Sequence, residues 1–412
     1  MNNYKNSAIN LSSFLITGFI GLYIFYFLTK YINITFLGEF NFYYVVVLLL
    51  SQLGTFGIHY SILRIASDKS ESKDFMNVFS GLLLISVLSF FLFSIIQMLI
   101  SYFDVEYITI NSEIKYASIL FAMNRGLYWF LNGKEEYILM AFINPLRMLS
   151  YLILINYFFN EGNLFGQTTT IFLVGELIIF ILNITLSLIV TFKKPQSFKN
   201  TYFQEHINFG KRAFLTSFFT DVSLKVDLLL IGILLGNTYL GLYTFTSALG
   251  EGFIGILTVT RTVSTPKINN LIDNKNSFIL HKKTMFKISY LISIVTASGI
   301  ILVSYFYGEN VEFFKDIKSE AFTSLSILLI GFCLLSYGFT FEHSLLQLNF
   351  PLDHTKCQAI LFFSNIILNF IFINLYQLNG AATATVISYL IYFILINRYI
   401  KKHTGEQFFS FQ

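Results

Sequence analysis

Residues 76–101 read MNVFSGLLLISVLSFFLFSIIQMLIS, a continuous apolar run that contains no charged side chain. At about 1.5 Å of rise per residue, a helix of this length crosses the roughly 30 Å of hydrocarbon in a bilayer. Backbone N–H and C=O groups in hydrocarbon must be paired internally, and a helix pairs them within one segment. The stretch therefore predicts a transmembrane helix and an all-α integral membrane protein.

The composition of the whole chain supports this class. Hydrophobic residues make up 55% of the 412 residues and charged residues 12%, whereas a soluble domain carries about 25% charged residues. A transmembrane β-barrel would show alternating segments of about ten residues, but the apolar runs here are continuous and about twice that length. The net charge of +4 does not indicate a nucleic-acid partner, because the basic residues lie between apolar runs.

Outward from residues 76–101, the sequence predicts twelve transmembrane helices. They cover residues 11–30, 41–63, 76–101, 114–132, 138–159, 168–191, 213–235, 239–262, 287–307, 321–345, 357–377 and 380–399. A faint repeat relates the second and eighth spans, which follow Leu-Gly pairs at Leu37-Gly38 and Leu235-Gly236. We therefore expect two six-helix bundles, residues 1–200 and 201–412, since repeated halves with a site between them are common in transporters.

The distribution of basic residues predicts the orientation. With both termini in the cytoplasm, most of the 27 Lys and Arg residues fall on the cytoplasmic side, as the positive-inside rule requires. The opposite side receives Lys30, Lys115, Lys315 and Lys318. The first apolar run lacks a small-residue cleavage site and is interpreted as a retained helix.

Charged residues inside the predicted spans are the candidates for function. A charge at the centre of a membrane helix costs about 2.5–3.5 kcal/mol on insertion scales, so it usually faces a cavity or a partner. The candidates are Arg147, Glu176, Asp221, Lys225, Asp227, Glu251 and Arg261, with Glu342 near a span end. Asp221 and Lys225 are four residues apart and would share a helix face. Asp227 would lie on a different face of that helix. The three residues therefore predict a wide polar sector that lines a cavity or, alternatively, a structural ion pair that fixes helix packing.

The chain resembles the Wzx-type O-antigen and polysaccharide flippases, in the superfamily that also contains MATE multidrug exporters. The resemblance extends over the whole chain and depends on the order of several short motifs. They are Leu37-Gly38-Glu39, Phe56-Gly57-Ile58, Arg64-Ile65-Ala66, the run DVSLKVD from Asp221 to Asp227, Gly241-Leu242-Tyr243 and Asn379-Gly380-Ala381-Ala382. It implies two six-helix bundles around a central cavity. The peptidoglycan-precursor branch usually has fourteen spans. Because twelve spans are predicted here, the span number argues against that branch.

The resemblance also implies the substrate, an undecaprenyl-diphosphate-linked sugar such as an O-antigen or capsule repeat unit, moved to the outer leaflet by alternating access. The implied location is the bacterial plasma (inner) membrane, in lipopolysaccharide or capsule synthesis, with polysaccharide polymerase and chain-length proteins as further partners. No cofactor is expected.

A diphosphate would be recognised by arginine, whose planar guanidinium pairs with phosphate oxygens bidentately. Arg64, Arg125, Arg147 and Arg261 lie in or near the cytoplasmic half of their spans, and Lys225 adds a further cation. The alternative for these residues is anchoring, with the side chains reaching the headgroups. The carboxylates of Asp221, Asp227, Glu251 and Glu176 are candidates for proton or sodium coupling, or for ion pairing alone.

Three other functions stay open on the sequence. The first is a cation-coupled exporter of amphipathic drugs, and the second is a scaffold for polysaccharide assembly. The third is a membrane enzyme, which would need a convergent catalytic set that the sequence does not offer. Glu342 and His343 are adjacent and so diverge by about 100° on a helix, while Cys333 and Cys357 lack metal-ligand spacing. We therefore expect a protein that is not an enzyme and binds no metal.

Overall fold

The computed structural model describes residues 2–67, 74–102, 111–191, 201–264, 275–310, 320–405 and 407. All regular secondary structure in these residues is α-helical, which confirms the predicted class. The helices are α1 (Asn2–Tyr31), α2 (Ile34–Thr55), α3 (Ile58–Ser67), α4 (Asp74–Tyr102), α5 (Ser112–Gly133), α6 (Tyr137–Asn160), α7 (Thr168–Thr191), α8 (Thr201–Ser223), α9 (Val226–Leu235), α10 (Asn237–Ser264), α11 (Lys275–Asn310), α12 (Glu320–Thr340), α13 (Ser344–Gln347) and α14 (Pro351–Thr404).

The predicted number of twelve spans is not confirmed. Within the described ranges, nine helices are long and apolar enough to cross a membrane, which makes the chain a multi-pass membrane protein. The predicted span 213–235 is divided, because α8 ends at Ser223 and α9 begins at Val226. The last two predicted spans are joined in the 54-residue α14, which breaks at Gln377 (φ 51°, ψ −128°).

The chain divides into two compact units, Met1–Phe218 and Phe219–Gln412, here called the N-terminal and C-terminal units. The division falls within α8 and not in the connector before it. The assignment of residues 1–200 and 201–412 to two six-helix bundles, and the central cavity, stay predictions.

Helices α3 to α7 build the core of the N-terminal unit around fully buried apolar side chains such as Ile62, Ile85, Phe130 and Ile143. Apolar residues such as Phe19 and Met98 instead have most of their surface exposed, as expected where the solvent is lipid. Since lipid tails are as apolar as these side chains, helix association depends on close packing.

The C-terminal unit has an aromatic core. The ring of Phe332 stacks on Phe253 with centroids 6.2 Å apart, and Phe339 meets Phe393 edge to face at 4.9 Å. Gly338 of α12 lies against the Phe393 ring so closely that an added Cβ would approach it to 2.5 Å. Small residues thus let aromatic rings fill the space between helices.

The break between α2 and α3 has a defined cause. Phe56 and Gly57 both adopt left-handed backbone conformations, with φ of 46° and 72°. Gly210 of α8 crosses this break, and a Cβ on Gly57 would lie 2.7 Å from the Gly210 carbonyl oxygen and 2.9 Å from Phe214 N. The break therefore forms the seat for the first half of α8.

His206 fixes the same half of α8 to the N-terminal unit. Its Nδ1 lies 3.0 Å from Ser61 Oγ on α3, and its Nε2 lies 3.2 Å from Ser80 Oγ and 3.1 Å from the Asn77 carbonyl oxygen on α4. The side chain is fully buried. Burial lowers the pKa of His206 from 6.5 to about 4, because the charged imidazolium loses its water.

We expect Gly57→Ala to destabilise the N-terminal unit by about 2 kcal/mol, because the side chain forces a left-handed backbone and a backbone clash. The measurement is the thermal unfolding midpoint in detergent. Gly299→Ala is the matched control, since no atom lies within 4 Å of a Cβ at Gly299. Equal effects of the two changes would contradict the tight crossing.

We also expect the stability to depend on pH through His206. Because the folded protein binds fewer protons than the unfolded chain here, the stability is full above pH 6.5 and falls as the pH drops toward about 4. Thermal unfolding of wild type and His206→Gln across this range measures the difference. Parallel pH profiles for the two proteins would refute a buried neutral histidine.

Candidate functional site

The charged side chains of Glu176 and Arg147 are both buried in the N-terminal unit. Arg147 Nε of α6 lies 2.9 Å from Glu176 Oε1 of α7, and the two side chains are 11% and 0% exposed. The Arg147 guanidinium also lies over the ring of Phe121, with its Cζ 4.3 Å from the centroid. The two predicted site residues therefore form an ion pair inside the N-terminal unit.

Hydrogen bonds complete this pair. The Tyr151 hydroxyl donates to Glu176 Oε1 at 2.5 Å, and Asn124 Nδ2 donates to Glu176 Oε2 at 2.8 Å. Asn183 Nδ2 in turn donates to Asn124 Oδ1 at 3.1 Å. The network joins α5, α6 and α7, and its full set of partners indicates that Glu176 locks helix packing.

The other two candidate arginines of the N-terminal unit, Arg125 and Arg64, differ from Arg147. The Arg125 guanidinium donates to the side-chain oxygen of Gln52, and Gln52 Nε2 donates to Ser217 Oγ at 2.9 Å. Arg64 is exposed and its Cζ lies 5.4 Å from the centroid of the Phe209 ring. Thus, Arg125 belongs to a polar chain between helices, whereas Arg64 matches the anchoring alternative.

In the C-terminal unit, the second ion pair lies at the break between α8 and α9. Lys225 Nζ is 2.6 Å from Glu251 Oε1 on α10, with side-chain exposures of 19% and 37%, and Ser247 Oγ donates to the same oxygen at 3.2 Å. Since α8 ends at Ser223, the helix face that Asp221 and Lys225 were expected to share stops before Lys225.

Asp227 is buried beside this break. Its Oδ1 accepts from the Leu228 amide at 2.8 Å, and its Oδ2 accepts from the Tyr243 hydroxyl at 3.1 Å. On the other side of the break, Asn365 Nδ2 of α14 donates to the Ser223 carbonyl oxygen at 2.9 Å. Asparagine thus satisfies a backbone group that the interrupted helix leaves free.

An open recess forms where these groups meet. Its polar lining comes from Ser223, Asp227, Ser247, Glu251, Thr385 and Tyr389, and its apolar lining includes Phe332. Two of the four predicted coupling carboxylates, Asp227 and Glu251, therefore share one recess. Glu176 lies in the N-terminal unit, and Asp221 is half-buried near the end of α8.

The third ion pair joins Arg261, near the end of α10, to Glu342 in the turn after α12. The side chains of Arg261 and Glu342 are 22% and 12% exposed, so this pair is partly open. Sequence reasoning noted Glu342 only as a charge near a span end. It missed the partner, because residues 261 and 342 meet only through helix packing.

Each of the three predicted intramembrane cations thus has a carboxylate partner within its own unit. Within the described residues, no group of three or more His, Cys, Asp and Glu side chains could hold a metal ion. Two of these ion pairs are accessible enough for one partner to be replaced by another ion. They are Lys225–Glu251 beside the recess and the partly exposed Arg261–Glu342 pair.

Comparisons with known proteins agree with this architecture. Residues 163–311 match a family model described as "Polysaccharide biosynthesis protein". No curated protein sequence matches the chain. The family match supports the resemblance to polysaccharide flippases inferred from the sequence.

Among solved structures, the lipid II flippase MurJ in an inward closed conformation matches with a TM-score of 0.72 at 17% identity, covering 96% of this chain and 87% of that one. An inward-facing multidrug resistance MATE transporter matches at 0.67 and 14% identity, covering 89% of each chain. A MATE transporter of Vibrio cholerae matches at 0.62 and 14% identity, covering 98% and 97%. The chain therefore has the fold of these transporters.

We expect Glu176→Leu to destabilise the protein by about 3 kcal/mol, because Arg147 is then buried without its counter-ion. The double variant Arg147→Met with Glu176→Leu should recover most of that loss. Thermal unfolding in detergent of both single variants and the double variant forms the cycle, with the exposed Glu205→Gln as control. Additive losses would contradict direct pairing.

Proposed function

Starting from a transporter fold shared with a lipid II flippase and a match to a polysaccharide-biosynthesis family, we propose that this protein flips an undecaprenyl-diphosphate-linked oligosaccharide. The substrate moves from the cytoplasmic to the outer leaflet of a bacterial plasma membrane, and both termini are cytoplasmic. The observation that carries the proposal is the family match over residues 163–311 on a chain with this fold.

The charges support an anionic substrate. Arg261 and Lys225 are partly exposed and paired with single carboxylates, so a diphosphate can compete for them with oxygens of similar geometry. Arg147, which has few accessible atoms, serves packing in this proposal, and Arg64 and Arg125 form weaker candidates for the diphosphate. The oligosaccharide passes through a polar path, while the lipid tail stays in the bilayer.

Coupling in this proposal depends on the recess of the C-terminal unit. Asp227 and Glu251 are carboxylates in a low-dielectric setting, where a proton or sodium ion compensates their charge. Lys225 competes with that ion for Glu251 at 2.6 Å. Binding of the ion to Glu251 therefore frees Lys225 for an anionic substrate. This exchange of partners links ion binding to substrate binding.

The MATE neighbours favour a second candidate, a cation-coupled multidrug exporter. A cationic drug would need accessible carboxylates and gain nothing from Arg261 and Lys225. Because Glu251 has 37% of its side chain exposed, this candidate deserves a direct test with cationic dyes.

The test is a flipping assay in proteoliposomes with a fluorescent undecaprenyl-diphosphate sugar that is quenched only from outside. We expect protein-dependent loss of protection of the inner-leaflet lipid, and at least about a tenfold lower rate in Arg261→Ala and Lys225→Ala, from lost charge-assisted contacts. Lys356→Ala, with a 62% exposed side chain, is the control.

Full activity of the two variants would refute substrate contact at these cations. If several lipid-linked sugars do not move under proton and sodium gradients while cationic dyes are transported, the multidrug exporter replaces the flippase. Conversely, lipid movement without dye transport rejects the exporter.

A further inference from the structure

Four segments of the C-terminal unit converge around the Arg261–Glu342 pair. Arg261 comes from α10, and Glu342 and His343 come from the turn after α12. The His343 ring lies 5.9 Å from the ring of His354, in the first turn of α14. From α11, His281 Nε2 lies 3.0 Å from Ser264 Oγ of α10. His343 adjoins Glu342 in the sequence, and His354 interacts electrostatically with both Glu342 and Arg261.

His354 has an unusual environment. Its side chain is 2% exposed, and neither ring nitrogen has a hydrogen-bond partner among the described residues. Buried polar side chains are nearly always hydrogen-bonded, and leaving one unpaired is costly. An imidazole whose two nitrogens are unsatisfied therefore indicates a place for a ligand that accepts a hydrogen bond.

Arg261 and Glu342 show what kind of ligand fits beside it. A guanidinium pairs with a carboxylate and with a phosphate through the same forked geometry. The Arg261 side chain keeps 22% of its surface exposed, so the pair is not sealed from an arriving anion. The Glu342 carboxylate occupies the place at Arg261 that a phosphate oxygen would take.

We propose that Glu342 is an internal stand-in for the diphosphate of the substrate. It holds Arg261 in the empty protein and leaves when a diphosphate arrives, to which His354 donates a second hydrogen bond. This inference deepens the proposed function and rests on it. In this inference the ligand of the site is a prenyl diphosphate, and Glu342 takes its place in the empty protein. Arg261 and His354 provide the specificity for diphosphate.

The exchange has a functional consequence. Binding breaks one ion pair and forms another, so only the difference between the two appears as affinity. When the diphosphate leaves, Glu342 returns to Arg261 and stabilises the empty site. A strongly charged substrate is therefore held loosely enough to be released.

The test is binding of farnesyl diphosphate to the purified protein in nanodiscs by isothermal titration calorimetry. We expect Glu342→Gln to bind about tenfold more tightly than wild type, because Arg261 is no longer occupied by an internal anion. Arg261→Gln should lose measurable binding. Asp353→Asn is the matched control, since it removes a carboxylate paired with Lys356 and His403 in the same unit and should leave the affinity unchanged.

A second variant keeps the inference testable if Glu342→Gln fails to fold. His354→Phe keeps the volume of a ring but removes both nitrogens, and should weaken farnesyl diphosphate binding severalfold. Thermal unfolding midpoints show which variants are folded. Inorganic diphosphate as competitor separates recognition of the headgroup from that of the lipid tail, and it should displace the prenyl probe from wild type.

The outcomes separate this inference from the proposed function. Unchanged or weaker binding by folded Glu342→Gln, with wild type still flipping the lipid-linked sugar, overturns the stand-in and leaves the flippase intact. If wild type neither binds farnesyl diphosphate nor flips the lipid-linked sugar, the proposed function fails and the inference fails with it.

Discussion

The structure depends on one constraint, that a charge carried into hydrocarbon must be compensated inside the protein. Three cations of the spans meet this requirement with a carboxylate from a different segment of the chain: Arg147 with Glu176, Lys225 with Glu251 and Arg261 with Glu342. A bare charge in this setting costs several kcal/mol, so each pair dictates which helices are neighbours.

The three pairs differ in how far they are exposed, and the proposed function gives them different roles on that ground. Glu176 has no exposed surface and is already bound to Arg147, Tyr151 and Asn124, so it is closed to an outside partner. Glu251 borders a recess at a helix break, and the Arg261 side chain is 22% exposed. A protein that moves an anionic headgroup needs accessible ion pairs such as those of Glu251 and Arg261, because only an accessible pair can exchange partners.

Interrupted helices place these accessible pairs. In a continuous helix the backbone groups would pair with one another, and Asp221, Lys225 and Asp227 would be distributed around a single helix axis. The break after Ser223 instead frees a carbonyl group for Asn365 and brings Lys225 to Glu251. Similar breaks occur at Phe56–Gly57, which seats α8, and at Gln377, which allows one helix to serve two predicted spans. Non-helical backbone at such depth is tolerated where protein or polar groups surround it.

The sequence by itself determined the class of the protein, because twenty-residue apolar runs leave the backbone no alternative to helices in lipid. It also identified intramembrane charges as candidates for function, since each is expensive enough to require a partner or a cavity. Only the tertiary structure decided the partners: no local pattern relates Arg261 to Glu342 or Lys225 to Glu251, because the members of each pair lie far apart in the sequence. It also decided where helices stop, as at Ser223 and Gln377, because a break whose polar groups find partners on a neighbouring helix leaves no strong mark in hydropathy.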